Sequence, residues 1–583
     1  MKQVYNTLLI LLLLSPFYVI QISLAQTIQI DEDFSDWDDI PTFYQDATGD
    51  NLGTSVDFKT LKITNDDRYL YLYLEVGAEI NIQQDNSISL LIDLDRNSET
   101  GESYLGIGYE LIFNFGQRNG QYYNPNENSF NSYDIGLFVA PTVTSTVFEL
   151  KINRNAELED DQLFNEQSFD FLIRSASSNG DLLPDNGSST LSYTFNNELI
   201  FGAEPYSLKK NDPSDLRVLT YNVERDNLFN ASAKDNFRRI FQAIEPDIIG
   251  LEEVYNNSGQ QAAALIEEFL PSKQNQQWYS GDTGTDNLIV SRFPVLKQTS
   301  IAGNSAYLLD LGDRELLTVV AHPPCCTNNE SRQLEIDEFM AFIRDSKSGS
   351  EFDIKENTPI IIMGDMNLVG FSQQYTTMVT GDIVNEDSFG ADFNPDWDET
   401  PLEDLKPTNP GLPTTFTWYS ASSSFGAGRL DYIVYSGSVL EAKNSFSLFT
   451  PEMNSDSLAA YGLERNDVIL ASDHLPVVGD FVLKTLTSSE IDSENPQDFE
   501  LYQNYPNPFN PSTVISFQLE KHSNVKVVVF DALGRTIETL FDGNKSIGKH
   551  SITFDAKSLP SGLYYYSLSA DGFQSIQKMI LLK

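Results

Sequence analysis

The feature that most constrains this chain is a change in apolar periodicity at Leu216. Before it, Val56-Asp-Phe-Lys-Thr-Leu-Lys-Ile63 and Tyr69-Leu-Tyr-Leu-Tyr-Leu-Glu-Val76 alternate with period two, the pattern of strands buried on one face. Polar clusters at Asn65-Asp-Asp67, Asn119-Gly120 and Asp185-Asn-Gly187 punctuate them as turns. An antiparallel β-sandwich over residues 26–205 is the expectation. From Leu216 the apolar runs become short and continuous: Leu216-Arg-Val-Leu-Thr220, Asp247-Ile-Ile-Gly-Leu251 and Pro359-Ile-Ile-Ile-Met363. Between the first two, Phe237, Ile240, Phe241 and Ile244 recur at helical spacing. Strands interleaved with helices predict a layered α/β domain over residues 214–484. After a polar linker, residues 485–498, alternation returns in Val525-Lys-Val-Val-Val-Phe530, with turns at Ala532-Leu-Gly-Arg535 and Leu559-Pro-Ser-Gly562. A small β-sandwich over residues 499–583 is expected, so the fold class is multidomain.

Composition bounds what such a chain can do. The 583 residues carry 85 acidic and 37 basic side chains, a formal charge of −48, with 40% hydrophobic and 12% aromatic residues. That is too apolar and aromatic for a disordered acidic protein. The charge also excludes a duplex binder working by electrostatics alone, because such binding needs a basic face to displace counterions. A metal-using enzyme acting on phosphate esters is not excluded. The negative charge is shared about equally by residues 26–213 and 214–484, whereas residues 498–583 carry as many bases as acids.

The first 25 residues read as a secretory signal peptide: Lys2, the apolar run Leu8 to Leu14, and Ser23-Leu24-Ala25 as a small-x-small cleavage site. The apolar run is broken by Ser15-Pro16, too short to span a bilayer, and no later stretch supplies ~20 apolar residues. The only cysteines, Cys325 and Cys326, are adjacent. Neighbouring Cα atoms lie ~3.8 Å apart, below the ~4.4 Å minimum of an ordinary disulfide, so a bridge between them would be strained. Asp93, Asp95, Asn97 and Glu99 place oxygen donors at alternate positions of one loop, a set suited to Ca²⁺. The alternative is a solvated acidic turn.

Polar residues cluster at the ends of nearly every expected strand of the middle domain. They are Thr220-Tyr-Asn-Val-Glu224, Gly250-Leu-Glu-Glu-Val254, Asp286-Asn-Leu-Ile-Val-Ser-Arg-Phe-Pro294 and Val319-Val-Ala-His-Pro323. Met363-Gly-Asp-Met-Asn367, Arg429-Leu-Asp-Tyr-Ile433 and Ser472-Asp-His-Leu-Pro476 complete the set. One such residue is usually a turn or cap; seven blocks in one domain call for another explanation. In this order the blocks resemble the endonuclease/exonuclease/phosphatase superfamily, the fold of DNase I and bacterial sphingomyelinases. The resemblance implies a four-layered α/β sandwich and metal-assisted hydrolysis of a phosphoester. It assigns Asn222 and Glu253, with Glu224 and Asp473 assisting, to Mg²⁺ or Mn²⁺. It makes His474 the general base oriented by Asp431, places Asp365 and Asn367 at the nucleophile and a phosphate oxygen, and gives His322 a donor or second-acid role. These residue types suit a reaction in which water loses a proton and phosphate charge grows. The chain departs from the family pattern at Glu252, where Gln is usual, and in the loop His322-Pro-Pro-Cys-Cys-Thr-Asn-Asn-Glu-Ser-Arg332. Glu252 would either support the metal or face solvent. Arg429 is open to a carboxylate or a phosphate, and Arg292 reads as structural.

Two further resemblances flank the middle domain. Asp31-Glu-Asp-Phe-Ser-Asp-Trp-Asp-Asp-Ile-Pro41 and Asp93-Leu-Asp-Arg-Asn-Ser-Glu-Thr-Gly101 are similar to family 9-like and DOMON-like sandwiches, which implies a carbohydrate ligand. Tyr502-Gln-Asn-Tyr-Pro-Asn-Pro-Phe-Asn-Pro-Ser-Thr513 with Gly562-Leu-Tyr-Tyr resembles the type A sorting domain of type IX secretion, which implies that machinery as a partner and a secreted or cell-surface destination. The leading expectation is an exported phosphodiesterase, with a nuclease ahead of a sphingomyelinase-like or inositol-phosphate phosphatase-like hydrolase. The alternative from another class is a non-catalytic surface protein that binds carbohydrate.

Overall fold

The alternating segments of the first third pair as antiparallel strands in two sheets. In the five-stranded sheet the order is Tyr44–Gln45, Phe58–Asn65, Tyr69–Ile80, Ser145–Asn153 and Phe138–Ala140. The seven-stranded sheet is built around Ser168–Ser175, Ile88–Asp93 and Leu111–Asn114. Leu70, Leu72, Leu74, Leu90, Ile92, Phe148 and Phe171 fill one cluster belonging to both sheets. These coordinates are a computed structural model and describe residues 28–484 and 500–582, apart from 52–55, 125, 176–179, 186–189, 203–205, 275, 505, 520–522, 546–547 and 571–572. The signal peptide and the 485–498 linker lie outside the described residues. The chain divides into two compact units, residues 1–484 and 485–583.

The middle segment forms two six-stranded sheets. One has the order Tyr279–Gly281, Leu288–Ser291, Ile248–Glu252, Leu216–Asn222, Val477–Leu483, Leu440–Ser447. The other runs Val295–Ile301, Asn304–Asp310, Glu315–Ala321, Ile360–Asp365, Asp431–Tyr435, Glu403–Asp404. Val218, Ile248, Val320, Ile361, Met363, Ile433 and Val477 draw on both sheets for a single apolar cluster. The helices Lys234–Ile244 and Gly259–Phe269 pack against the first sheet's other residues, such as Leu219, Ile249 and Leu251. The helices Asn329–Lys347 and Ser372–Thr380 do the same for Val319, Ile362 and Val434 of the second. The helical spacing of Phe237, Ile240, Phe241 and Ile244 is thus the inward stripe of an 11-residue helix, and all four are buried. The C-terminal unit consists of a three-stranded and a four-stranded sheet closed over Phe517, Val527, Val529, Tyr566 and Leu568.

The strand Tyr69–Ile80 departs from the half-buried expectation. Tyr69 and Tyr71, on the face that should meet water, are 4% and 1% exposed. The reason is that the five-stranded sheet has a second covering. Tyr69, Tyr71, Phe138 and Ala140, with Ile28, Ile30 and Trp37, belong to the same apolar cluster as Leu219, Phe237, Phe416 and Phe449 of the α/β segment. The sandwich and the α/β segment therefore share a core.

Polar contacts pin this seam. The backbone amides of Asp31 and Glu32 donate to Glu149 Oε1 at 2.8 and 2.7 Å, and Trp37 Nε1 donates to Glu149 Oε2 at 3.2 Å. Arg429, 1% exposed, pairs with Glu32 Oε2 at 3.2 Å and with Asp404. Its guanidinium also lies over Tyr432, 4.1 Å from the ring centre. This settles Arg429 as a structural ion-pair residue. Arg292 is structural too, donating to Ser272 Oγ and the Leu270 carbonyl while stacked on Trp278.

Replacing one partner of a buried pair strands the other charge. Arg429→Met should therefore lower the unfolding free energy of the 1–484 unit by about 3–5 kcal/mol, measured by urea denaturation followed by tryptophan fluorescence.

Candidate active site

Strand register assembles the site. The two parallel pairs place Asn222 beside Glu252 and Ala321 beside Gly364, so His322 follows at the same edge as Asp365. The antiparallel pair then sets Asp365 against Asp431. Gly364 is required for this approach: at φ 140 a Cβ there would lie 1.9 Å from the Ala321 carbonyl oxygen. Thr220 pairs with Val477, and His474 stands three residues ahead of it, bridged to Trp418. Asn222, Glu252, His322, Asp365, Asp431 and His474 thus emerge along one edge of two stacked sheets, where strand ends and loops commonly carry chemistry.

Hydrogen bonds hold each side chain in place. His474 Nδ1 lies 2.9 and 3.1 Å from the two Asp431 oxygens, and its Nε2 is 3.5 Å from Asp365 Oδ2. The backbone amide of Asp431 donates to Thr417 Oγ1 at 2.8 Å, and that of His474 to Ser472 Oγ at 3.0 Å. Asn222 Nδ2 spans Glu253 Oε1 at 3.3 Å and Asp365 Oδ2 at 3.1 Å. Asn367 folds back on Asp365, donating from its backbone amide at 3.0 Å and from Nδ2 at 3.2 Å. Glu253 and Asn367 both adopt left-handed backbone, φ 62 and 50, a conformation uncommon for residues other than glycine and concentrated at functional sites.

His322 enters from the other side. Its Nδ1 is 2.8 Å from Asp286 Oδ2, while Nε2 faces Asp365 at 3.6 Å and Glu253 at 3.9 Å. Burial alone would lower the pKa of both imidazoles. Asp431, Asp365 and Asp473 instead push His474 up to about 10, and Asp286, Asp365 and Glu253 push His322 up to about 9. The surrounding carboxylates favour the protonated form of each ring, and a cation beside Glu253 and Asp365 acts in the opposite sense.

Glu253 and Asp365 both accept from Asn222 Nδ2, which brings together two carboxylates, the donor type a hard divalent cation prefers, while Asn222 Oδ1 accepts from the Glu224 amide at 3.0 Å. Asp365, Asp431 and His474 also bring ligand atoms within 4.8 Å of one another. There, however, Nδ1 is engaged by Asp431, so the trio is better described as an oriented acid–base pair facing a third carboxylate. Partial desolvation of the Glu224 carboxyl, followed by Asp473 and Glu253, raises its pKa. Asp473 Oδ2 accepts from Trp418 Nε1 at 3.1 Å. In the sandwich, Asp93 and Asp95 converge with Glu110, while Asn97 Oδ1 accepts from the Glu99 amide at 3.2 Å, closing a turn. Asn97 and Glu99 are not part of that carboxylate group, and Glu110 had no signal in the loop spacing.

This edge opens into a cavity of about 610 Å³ lined by Glu253, His322, Asp365, Asn367 and His474. Its far wall belongs to the sandwich: Asn81, Gln83, Gln84 and Thr142. Asn81 Nδ2 donates to the Val369 carbonyl at 2.9 Å, and Thr142 Oγ1 to the Leu368 carbonyl at 2.8 Å. Gln83 Oε1 accepts from the Gly426 amide at 3.1 Å, and Arg118 stacks on Phe425 at 4.0 Å. Cys325 and Cys326 are free thiols on the same lining. Asp286 opens the polar block Asp286–Pro294, where residue type alone implies no role. The sandwich wall had no local signal at all, because it depends on how the two segments pack.

Residues 219–474 match the model of the Endonuclease/Exonuclease/phosphatase family, and residues 503–582 match that of the Secretion system C-terminal sorting domain. The chain therefore carries an endonuclease/exonuclease/phosphatase domain followed by a C-terminal sorting domain. Its sorting domain belongs to the type IX route, which delivers it to the cell surface or the medium. Among solved structures, the human Nocturnin catalytic domain is similar at 18% identity, covering 46% of this chain and 95% of that chain, with a TM-score of 0.30. Sphingomyelinase C from Streptomyces griseocarneus is similar at 16% identity, covering 46% and 99%, with a TM-score of 0.27. ANGEL2, a 2',3'-cyclic phosphatase, is similar at 17% identity, covering 46% and 96%, with a TM-score of 0.32. No curated protein matches. Among the described residues, no helix is long and apolar enough to cross a membrane.

Glu252 neither faces solvent nor reaches the cavity lining. It is fully buried, Oε1 accepts from Thr220 Oγ1 at 2.8 Å, and Oε2 has no partner. Burial is the main force pushing its carboxyl up to about 8, so the folded state holds a proton that the unfolded chain releases near 4.5. Stability contributed here is full below pH 4.5 and lost as pH rises toward 8. Glu252→Gln should therefore stabilise the 1–484 unit at pH 8 by about 1–3 kcal/mol. The gain should shrink toward pH 5 in denaturation curves taken at both values.

Proposed function

We propose that the middle segment is a divalent-metal-dependent phosphoesterase, most simply a phosphodiesterase, on a four-layered α/β sandwich. The observation that carries this reading is the His474–Asp431 pair directed at Asp365, with Asn222 and Glu253 against the same carboxylate, at a cavity edge. Asp431 fixes the tautomer and orientation of His474 and leaves Nε2 to exchange a proton with water or a leaving oxygen. Asn367 and His322 present N–H groups beside Asp365, where a phosphate oxygen gaining charge would be met. Mg²⁺ or Mn²⁺ held by Glu253, Asn222 and Asp365 would supply Lewis-acid chemistry toward a phosphoryl oxygen.

The size of the cavity favours a compact phosphoester, or the end of a single chain, over long duplex DNA. Its volume is that of a small-molecule site. The acidic chain also lacks the net positive charge on which duplex affinity rests.

The test is hydrolysis of a chromogenic phosphodiester, plasmid DNA, RNA and sphingomyelin by residues 26–583, with Mg²⁺, Mn²⁺ or EDTA. EDTA should abolish turnover, and His474→Ala should lower kcat by about 10²–10⁴-fold. Activity that survives both treatments overturns the mechanism. If the sandwich wall holds the substrate, Phe425→Ala, which removes the ring clamped by Arg118, should raise KM about tenfold with little change in kcat, a loss of ~1.4 kcal/mol in binding.

A further inference from the structure

A second concentration of carboxylates lies in the sandwich, outside the cavity. Asp46 and Asp50 follow the edge strand Tyr44–Gln45 of the five-stranded sheet. Asp181 and Asp185 flank Leu182–Leu183, the edge strand of the seven-stranded sheet. One oxygen from each of the four lies within 4.8 Å of the others. An acidic cluster on a surface is ordinary, because water screens it. Asp46 is not on the surface: it keeps 6% of its exposure, and among the described residues no N–H or hydroxyl group donates to either carboxylate oxygen. A buried carboxylate with no donor costs far more than an exposed one.

The surroundings hold these oxygens in place. The backbone amide of Asp46 donates to the Lys59 carbonyl at 2.8 Å. Asp181 accepts from the amides of Phe58 and Leu182, which leaves each of its oxygens a further lone pair. Burial, and then Asp185, Asp181 and Asp50, push the Asp46 carboxyl up to about 9. All of these neighbours repel its charge.

We propose that Asp46, Asp50, Asp181 and Asp185 form a calcium site that ties the two sheets of the sandwich together at one edge. Oxygens bonded to one ion at about 2.4 Å lie at most about 4.8 Å from each other, in the 2.3–2.6 Å range of Ca²⁺–oxygen bonds, and these four meet that condition. Mg²⁺ requires shorter bonds in a near-ideal octahedron. Asp50 and Asp185 are exposed, so water can complete the six to eight ligands that Ca²⁺ takes. Export places the chain where calcium reaches the levels that extracellular modules bind, about 10⁻⁴–10⁻³ M. The ion would bridge residues far apart in sequence and belonging to different sheets, so binding stabilises the folded sandwich.

The experiment is calorimetric titration of Ca²⁺ into chelator-treated residues 26–583, with melting curves at zero and 1 mM calcium. Wild type is compared with Asp46→Asn and with the double variant Asp50→Asn/Asp185→Asn. Each variant should bind one Ca²⁺ fewer per chain and lose a calcium-dependent rise in Tm. Without calcium, Asp46→Asn should melt above wild type at neutral pH, because it removes a carboxyl that burial forces to take up a proton on folding. Asp93, Asp95 and Glu110 are untouched in both variants, so calcium bound there contributes equally to all three proteins. Should Asp46→Asn fail to fold, the double variant, altered only at exposed residues, decides alone. Wild-type stoichiometry with a wild-type calcium response overturns the site.

Discussion

Arg429 joins the seam of the molecule to its chemistry. Its guanidinium is removed from water and held between Glu32, from the first described segment, and Asp404, from an edge strand. Two residues later the strand Asp431–Tyr435 begins and presents Asp431 to His474. A buried ion pair is weak evidence for stability, because desolvation offsets much of the attraction, but it is demanding about geometry. Here it ties the position of the N-terminal segment to the strand that orients the proposed base. The apolar cluster shared by Trp37, Tyr71, Phe138, Phe237 and Phe416 does the same over a wider area. The sandwich is therefore better understood as part of the same body as the α/β segment than as a detachable module.

That arrangement also reshapes the electrostatics. Glu252, Asp365, Asp431 and Asn222 are all withdrawn from solvent at strand ends, and His322 and His474 are the only imidazoles among them. Negative charge concentrated in a low-dielectric edge raises the pKa of both rings and prepares a place for a cation. The net acidity of the chain and the demands of a phosphoester reaction are thus compatible: the positive charge that meets the phosphate need not come from lysine or arginine.

Much of the site was legible along the chain because the relevant residues stand at strand ends inside short recurring blocks. His474 and Asp431 are 43 residues apart, yet each follows its own local signal, and the structure brings them to 2.9 Å. The helix at Lys234–Ile244 was equally legible from four apolar positions. Asp286, Glu110 and the wall formed by Asn81, Gln83 and Gln84 were not singled out. A lone carboxylate or amide in a polar turn looks the same whether it faces water or another side chain. The burial of Tyr69 and Tyr71 was hidden for a related reason, since alternation records one buried face and is silent about what covers the other.

The sequence by itself determined the three kinds of segment, the exported destination and the residue types available for phosphoester chemistry. Those properties are local: periodicity, turn chemistry and short blocks depend on neighbours within a few positions. Only the tertiary structure decided that the sandwich closes the cavity, that Arg429 serves the seam rather than a phosphate, and that Asp46 lies buried among three other carboxylates. Each of these outcomes depends on residues more than a hundred positions apart meeting across packed sheets. The free energy of such a contact is set by desolvation and geometry, which no local pattern records.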